Sequence, residues 1–154
     1  MTLTQDEAHR LFEYRDGLLF WKVRPLSDFT DIGSHKRWNS RSANKQAGSC
    51  AGIYANVSIN NVRHQIHRVV FLMHHGFLPP VVDHINGKTQ DNRIENLRAA
   101  TYTENQRNSR INKNSSSGVK NVVWHKQRQK WSVRILVNKK TKSFGLYDDI
   151  IAIT

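Results

Sequence analysis

Val81-Val82-Asp83-His84-Ile85-Asn86-Gly87, then Lys88 to Asn92, then Arg93-Ile94-Glu95-Asn96-Leu97-Arg98-Ala99-Ala100-Thr101-Tyr102-Thr103-Glu104-Asn105, is the stretch that decides how this chain reads. The β-branched start predicts a short strand over 81–85, and Asn86-Gly87 turns it. A loop and a second short strand follow between Asn92 and Thr101. Thr101-x-x-Glu104 has capping-box spacing and predicts a helix from Tyr102 to about Ile111. Neighbours on a strand point to opposite faces, so Asp83 and His84 serve the two flanks of one strand. Asn105 falls one turn into the helix. A carboxylate and an amide oxygen are hard ligands that suit Mg²⁺, an ion that usually takes few protein ligands and keeps several waters. An imidazole beside such an ion can take a proton from an attacking water near neutral pH.

Upstream, Thr4-Gln5-Asp6-Glu7 is another capping box and predicts a short helix carrying Ala8, Leu11 and Phe12 inward. Asp16-Gly17 between two apolar runs predicts a hairpin. Residues 25–48 are polar and read as a long loop. Ala51 to His67 reads as a second hairpin turned at Asn60-Asn61, and His67 to Gly76 as a helix stopped by Gly76 and Pro79-Pro80. Lys113-Asn114-Ser115-Ser116-Ser117-Gly118 reads as a flexible linker. Three strand-like runs follow, at Val119–Trp124, Trp131–Val137 and Thr141–Gly145, and Asp148 caps a final short helix.

The 154 residues carry 24 Lys and Arg against 12 Asp and Glu, a formal charge of +12. Such a charge on a short chain points to a polyanion, with nucleic acid first. It is also uneven. Between Gln106 and Tyr147 there are 11 basic residues and no acid, interleaved with Trp124, Trp131 and Phe144. A solvated face usually mixes both signs, and a disordered tail lacks aromatics. The single cysteine, Cys50, rules out an internal disulfide framework and a four-cysteine zinc site. The longest apolar run, Val69 to Met73, is far too short to span a bilayer, and the N-terminus lacks the pattern of a secretory signal. The expected setting is the cytoplasm, that of a host cell if the chain is phage-encoded.

The stretch from Val81 to Asn108 resembles the HNH nuclease motif, the ββα-metal fold of homing and phage endonucleases. His84, Asn96 twelve residues on and Asn105 nine further on fit its spacing. Ile66-His67-Arg68-Val69-Val70 with Gly76 and Pro79 is similar to the family's lead-in. The third position is Asn105 rather than histidine, which favours Mg²⁺ or Mn²⁺ over zinc. The resemblance implies one-metal phosphodiester hydrolysis. His84 would be the general base, Asp83 and Asn105 the metal ligands, and Asn96 a structural residue that bridges the hairpin loop and helps to fix His84. One ion per site, and products with 5′-phosphate and 3′-hydroxyl ends, go with it. Taken singly, Asp83 is a turn residue, His84 a partly buried histidine, Asn96 a loop cap and Asn105 an exposed helix residue; the joint spacing carries the reading. His67 reads as structural more readily than functional, His74 and His75 as surface residues. Arg93, Arg98 and Arg107 surround the site, as phosphate contacts or as ordinary surface arginines.

The C-terminal segment, from Ser117-Gly118-Val119 through Lys130-Trp131-Ser132-Val133-Arg134-Ile135 to Lys142-x-x-Gly145-x-Tyr147-Asp148, resembles the AP-two/ERF DNA-binding domain, a three-stranded antiparallel sheet laid in the major groove and backed by a helix. Along the middle strand Trp131, Val133, Ile135 and Val137 point one way and Ser132, Arg134 and Leu136 the other. Arginine or lysine paired with guanine is the commonest base contact, so Arg128, Lys130 and Arg134 are the candidate readers and Lys126, Lys140 and Lys142 the phosphate contacts. The family's helix is several turns long; here at most two follow Asp148.

The expectation is therefore an α+β chain of small antiparallel hairpins, a ββα core and a three-stranded sheet. It divides into a β-rich N-terminal part of the nuclease domain (1–65), the HNH core (66–112), a linker (113–118) and the DNA-binding sheet (119–154). The partner is double-stranded DNA, with no membrane role, and the chain is a monomer or weak homodimer. The implied activity is that of a phage or mobile-element homing-type endonuclease that nicks or cuts DNA.

Overall fold

The computed structural model describes residues 3–108, 111, 114–137 and 140–151. It is a mixed α+β structure of three two-stranded hairpins and one three-stranded antiparallel sheet. The chain forms two compact units, Met1–Asn108 and Ser109–Thr154. No helix among the described residues is long and apolar enough to cross a membrane.

The first unit opens with α1 (Gln5–Leu11), where Thr4 Oγ1 accepts the Glu7 amide at 3.2 Å. β1 (Phe12–Arg15) and β2 (Leu18–Trp21) form the hairpin expected at Asp16-Gly17. The segment 25–48, expected to be a loop, contains a 3₁₀ turn (Leu26–Asp28) and an eleven-residue helix, α2 (Ile32–Ser42). That helix has no buried residue and no apolar stripe, so periodicity could not reveal it. It is held by a cap and by contacts to residues further back in the chain: Asp31 Oδ1 caps the Ser34 amide at 2.8 Å, Trp38 packs edge-on against Trp21 at 5.3 Å, and Asn39 Nδ2 donates to Arg24 O at 2.9 Å. β3 (Asn56–Ile59) and β4 (Val62–Gln65) turn at Asn60 and Asn61, both left-handed (φ 49° and 64°), a conformation asparagine tolerates.

The centre is α3 (Ile66–His75), which buries seven of its ten residues. Phe12, Leu19, Val57, Ile59, Val82 and Leu97, drawn from all three hairpins, pack in the same core cluster. Gly76 (φ 76°) closes the helix, its amide reaching Leu72 O at 2.9 Å. The Met73 carbonyl, left without a helical partner, is met by Gln5 Nε2 and His9 Nε2 at 2.9 and 2.8 Å. His74 and His75 are exposed, in keeping with their surface reading.

β5 (Val81–His84), a 3₁₀ turn (Ile94–Asn96), β6 (Leu97–Ala100) and α4 (Tyr102–Asn108) complete the unit. The capping box before α4 is reciprocal: Thr101 Oγ1 accepts the Glu104 amide at 3.2 Å, and Glu104 Oε2 accepts the Thr101 amide at 2.7 Å. The helix was expected to continue over Ser109 and Arg110, which lie outside the described residues.

The loop between β5 and β6 is pressed against the first hairpin. Gly17 has φ 84°, and a Cβ there would lie 2.9 Å from the Arg93 backbone nitrogen. Gly17→Ala is expected to destabilise the fold by on the order of 1–3 kcal/mol, because the left-handed backbone and the backbone clash both oppose it. A denaturant midpoint unchanged from the parent would contradict that.

In the second unit β7 (Val122–His125), β8 (Lys130–Val137) and β9 (Lys140–Tyr147) pair in that order. Register shifts beside Val133 and Arg134, leaving Phe144 without a cross-strand partner. Trp124 and Trp131 sit opposite each other, edge-on at 4.9 Å. The helix expected after Asp148 would run into Ala152–Thr154, outside the described residues, as Lys113 of the expected linker also is.

Candidate active site

In the β5–β6 hairpin Asp83 stands opposite Arg98, and His84 opposite Leu97. Strand alternation sends the two side chains to different environments. On the first flank Asp83, with 12 % of its side chain exposed, receives three hydrogen bonds on one carboxylate oxygen. Arg98 Nη2 and Nε donate to Oδ2 at 2.8 and 3.1 Å, and Asn108 Nδ2 donates to it at 3.0 Å. None of these bonds engages Oδ1. Asn108 belongs to the last turn of α4, so the helix delivers an amide to the carboxylate.

On the second flank His84 is 6 % exposed. Its Nε2 lies 3.1 Å from Oδ1 of Asn92, which is 4 % exposed. The ring of His67 on α3 is 4.9 Å away, and Tyr54 stacks on the His84 imidazole at 6.1 Å while lying tilted to His67 at 5.0 Å. Burial pushes His67 down to about 3, helped by repulsion from His84 and Arg68. It is therefore a neutral wall. Among the described residues His67 Nδ1 and His125 Nδ1 are buried ring nitrogens without a partner; His84 Nδ1 is not one of them.

Asn96 bridges the loop. Its Oδ1 accepts the Asn86 amide at 3.0 Å, and its Nδ2 donates to Asp91 O at 2.7 Å and Asn86 Oδ1 at 3.1 Å. Arg93 and Asn86 bind the Asp91 side chain and hold its carboxyl well below the usual carboxylate range. The contact to the His84 imidazole comes from Asn92, whereas Asn96 acts on the backbone around it. Asn105 is exposed on α4, with no hydrogen bond from its side chain to Asp83; one turn on, Asn108 makes that contact. Arg98 lies on Asp83, Arg93 pairs with Asp91 and Glu95, and the Arg107 side chain lies outside the described ones.

Asn92, Asn108 and Tyr54 went unnoticed in the sequence. Asn92 reads there as one polar loop residue among several, and Asn108 is marked only by its place three residues after Asn105. Tyr54 reads as a strand residue, though it precedes β3.

Among the described residues no three His, Cys, Asp or Glu side chains gather into a cluster. The donor set is instead one carboxylate with the Asn108 carboxamide of α4 on it. A carboxylate and a carboxamide oxygen fit a hard divalent cation that retains most of its water. Arg98, already seated on Asp83, shows that the position attracts positive charge.

In the second unit the candidate readers divide between the faces of the sheet. Opposed residues share a face. Lys142 pairs with Ile135 and Lys140 with Val137, on the side of Trp124 and Trp131; Lys130 and Arg134 lie on the other. Lys130 Nζ donates to Asp148 at 3.0 Å, and Arg134 Nε to Ser132 Oγ at 3.3 Å. Lys126 and Arg128 are exposed in the β7–β8 turn.

A strand–turn–strand–helix with an aspartate–histidine pair ending its first strand is the ββα arrangement of HNH nucleases. Residues 64–107 match the HNH endonuclease family model. Over 67 residues the chain is 33 % identical to Protein 3.8 of Escherichia phage T7, covering 44 % of this chain and 55 % of that protein. The chain thus spans about half the length of the curated relative it matches. No solved structure matches it.

Proposed function

We propose that this chain is a metal-dependent DNA endonuclease of the phage or mobile-element homing type, which hydrolyses phosphodiester bonds. The observation that carries the proposal is the split of Asp83 and His84 between two flanks of β5, one holding a carboxylate next to the Asn108 amide of α4 and the other a buried imidazole. In this reading His84 is the general base. Water adds across the P–O3′ bond: its oxygen joins phosphorus, its proton passes to His84, and the 3′ oxygen leaves with the bonding pair and takes a proton from solvent. Asp83 and Asn105 would hold one Mg²⁺ or Mn²⁺ ion, with Asn108 on the Asp83 carboxylate. Such an ion supplies Lewis-acid stabilisation of charge on the phosphate and the leaving oxygen. Asn96 keeps the loop closed around the strand end. Arg98 is positioned to exchange Asp83 for a phosphate when the site fills. Incubation of supercoiled plasmid with and without Mg²⁺ tests the proposal: open-circular or linear product that depends on metal supports it, and untouched plasmid overturns it.

The second unit is, in the same proposal, the AP-two/ERF-like DNA-binding sheet of the chain, and residues 66–112 are the catalytic core. One face of a sheet enters a groove, so Lys130 and Arg134 read bases, joined by Arg128 from the β7–β8 turn, while Lys126, Lys140 and Lys142 contact phosphate. A chain cut after Asn108 keeps Asp83, His84, Asn96 and Asn105 but loses ten of the 11 basic residues between Gln106 and Tyr147. It is expected to bind duplex DNA far more weakly, with a shallower salt dependence, since each lost phosphate contact reduces the slope of log K against log salt by about 0.9. Arg134→Ala is expected to relax preference at one base pair, at a cost of about 1–3 kcal/mol there, whereas Lys140→Ala weakens all sequences alike. Equal salt slopes for the full and shortened chains would remove the C-terminal sheet from DNA binding.

A further inference from the structure

We propose that Asn92 is the positioning residue of the base: its carboxamide oxygen accepts the Nε2–H of His84, fixes the neutral imidazole in that tautomer, and leaves Nδ1 as the atom that takes the proton from water. The inference rests on the nuclease reading of the site and adds to it a residue and a ring atom.

The geometry is specific. Asn92 Oδ1 and His84 Nε2 are 3.1 Å apart, and both residues are more than nine-tenths buried. A buried acceptor facing a ring nitrogen selects the tautomer that donates to it, because the other would set two lone pairs against each other out of reach of water. Of the rings beside it, Tyr54 is stacked on His84 at 6.1 Å and His67 lies tilted to it at 4.9 Å.

The carboxamide is itself held from both sides. Before it, the Asp91 side chain is bound by Asn86 and Arg93, and the Asp91 carbonyl by Asn96. After it, the Ile94 amide donates to Tyr14 OH at 3.0 Å. Beneath it, Gly17 lets the first hairpin approach so closely that a Cβ would stand 3.1 Å from the Asn92 carbonyl carbon. Every one of these contacts fixes the backbone that aims the Asn92 amide. The N-terminal hairpin, which supplies no reacting group, thereby acts on the base through Tyr14 and Gly17.

The test is long-range ¹H–¹⁵N correlation on the ¹⁵N-labelled full-length chain, at a pH where His84 is neutral, alongside plasmid cleavage. In the parent protein the His84 pattern should show a protonated Nε2 and a bare Nδ1. Asn92→Asp, which keeps an acceptor of the same shape, should preserve that pattern. Asn92→Leu should mix the tautomers and lower the cleavage rate constant roughly 10–100-fold, the scale seen when the partner that orients a functional histidine is lost, with KM for DNA little changed. A parent His84 protonated at Nδ1 overturns the proposal, and that result does not depend on whether any variant folds. An unchanged tautomer and rate in a folded Asn92→Leu protein also overturns it. A parent protein that leaves DNA uncut yet shows the Nε2–H form would sink the nuclease reading and leave the Asn92–His84 pairing standing.

Discussion

His84→Ala is expected to lower DNA cleavage by roughly 10²–10⁴-fold, the range for a lost general base, while DNA affinity stays within a few-fold of the parent. The large effect follows from the absence of a substitute. The ring next to it, His67, is buried and held neutral with a strongly depressed proton affinity, and its position on α3 belongs to the core packing rather than to β5. The change also removes a buried ring from the Tyr54–His67–His84 cluster, so some loss of stability accompanies it. His84→Gln, which keeps volume and a hydrogen-bonding group near Asn92, separates the two effects. Both variants should bind the same duplex and fail to cut it at the parental rate. Turnover within a few-fold of the parent in either would take His84 out of the mechanism.

The second large effect is expected at Asp83. Cleavage should need Mg²⁺ or Mn²⁺ and vanish in EDTA, and Asp83→Ala should reduce it by 10²–10³-fold or more, about the cost of removing one preorganised electrostatic stabiliser. Asp83 is the one acidic side chain of the proposed ligand set, and its Oδ2 is already engaged by Arg98 and Asn108. Asp83→Asn is the informative control: it keeps an oxygen for those two donors but removes the charge. Titration calorimetry with Mg²⁺ on the parent, Asp83→Asn, Asn105→Ala and Asn108→Ala reads binding apart from turnover. Binding should be lost in the first variant and weakened by removal of the helix asparagine that serves as ligand. Full activity after exhaustive chelation would overturn the one-metal reading.

Much of this architecture is written in short-range signals. The capping boxes at Thr4 and Thr101 mark the starts of α1 and α4, Asp16-Gly17 and Asn60-Asn61 mark two hairpins, and Gly76 ends α3. Each works because a few adjacent residues satisfy or redirect a few backbone groups, which requires nothing from the rest of the chain. The order strand, turn, strand, helix around Asp83-His84 was legible for the same reason, and with it the separation of the two side chains onto opposite flanks. Helix α2 was not legible, because beyond its one cap it is held by contacts to residues well back in the chain, Trp38 on Trp21 and Asn39 on Arg24, rather than by an apolar stripe.

Tertiary structure alone decided what surrounds the two reacting candidates. Spacing gave four site residues but no means of ranking Asn92 against Asn96, or Asn105 against Asn108. The first choice depends on how the loop folds back under the β1–β2 hairpin, where Tyr14 and Gly17 fix it. The second depends on which turn of α4 comes level with β5. His67, whose sequence leans to a structural role, becomes the neutral neighbour of His84 only because α3 is packed at the centre and turns that residue away from water. Local hydrogen bonds and turn preferences determine elements, and these act over a few residues. Burial and the partner of a polar atom depend on contacts between elements far apart in the chain, which only the packed fold brings within a few ångströms.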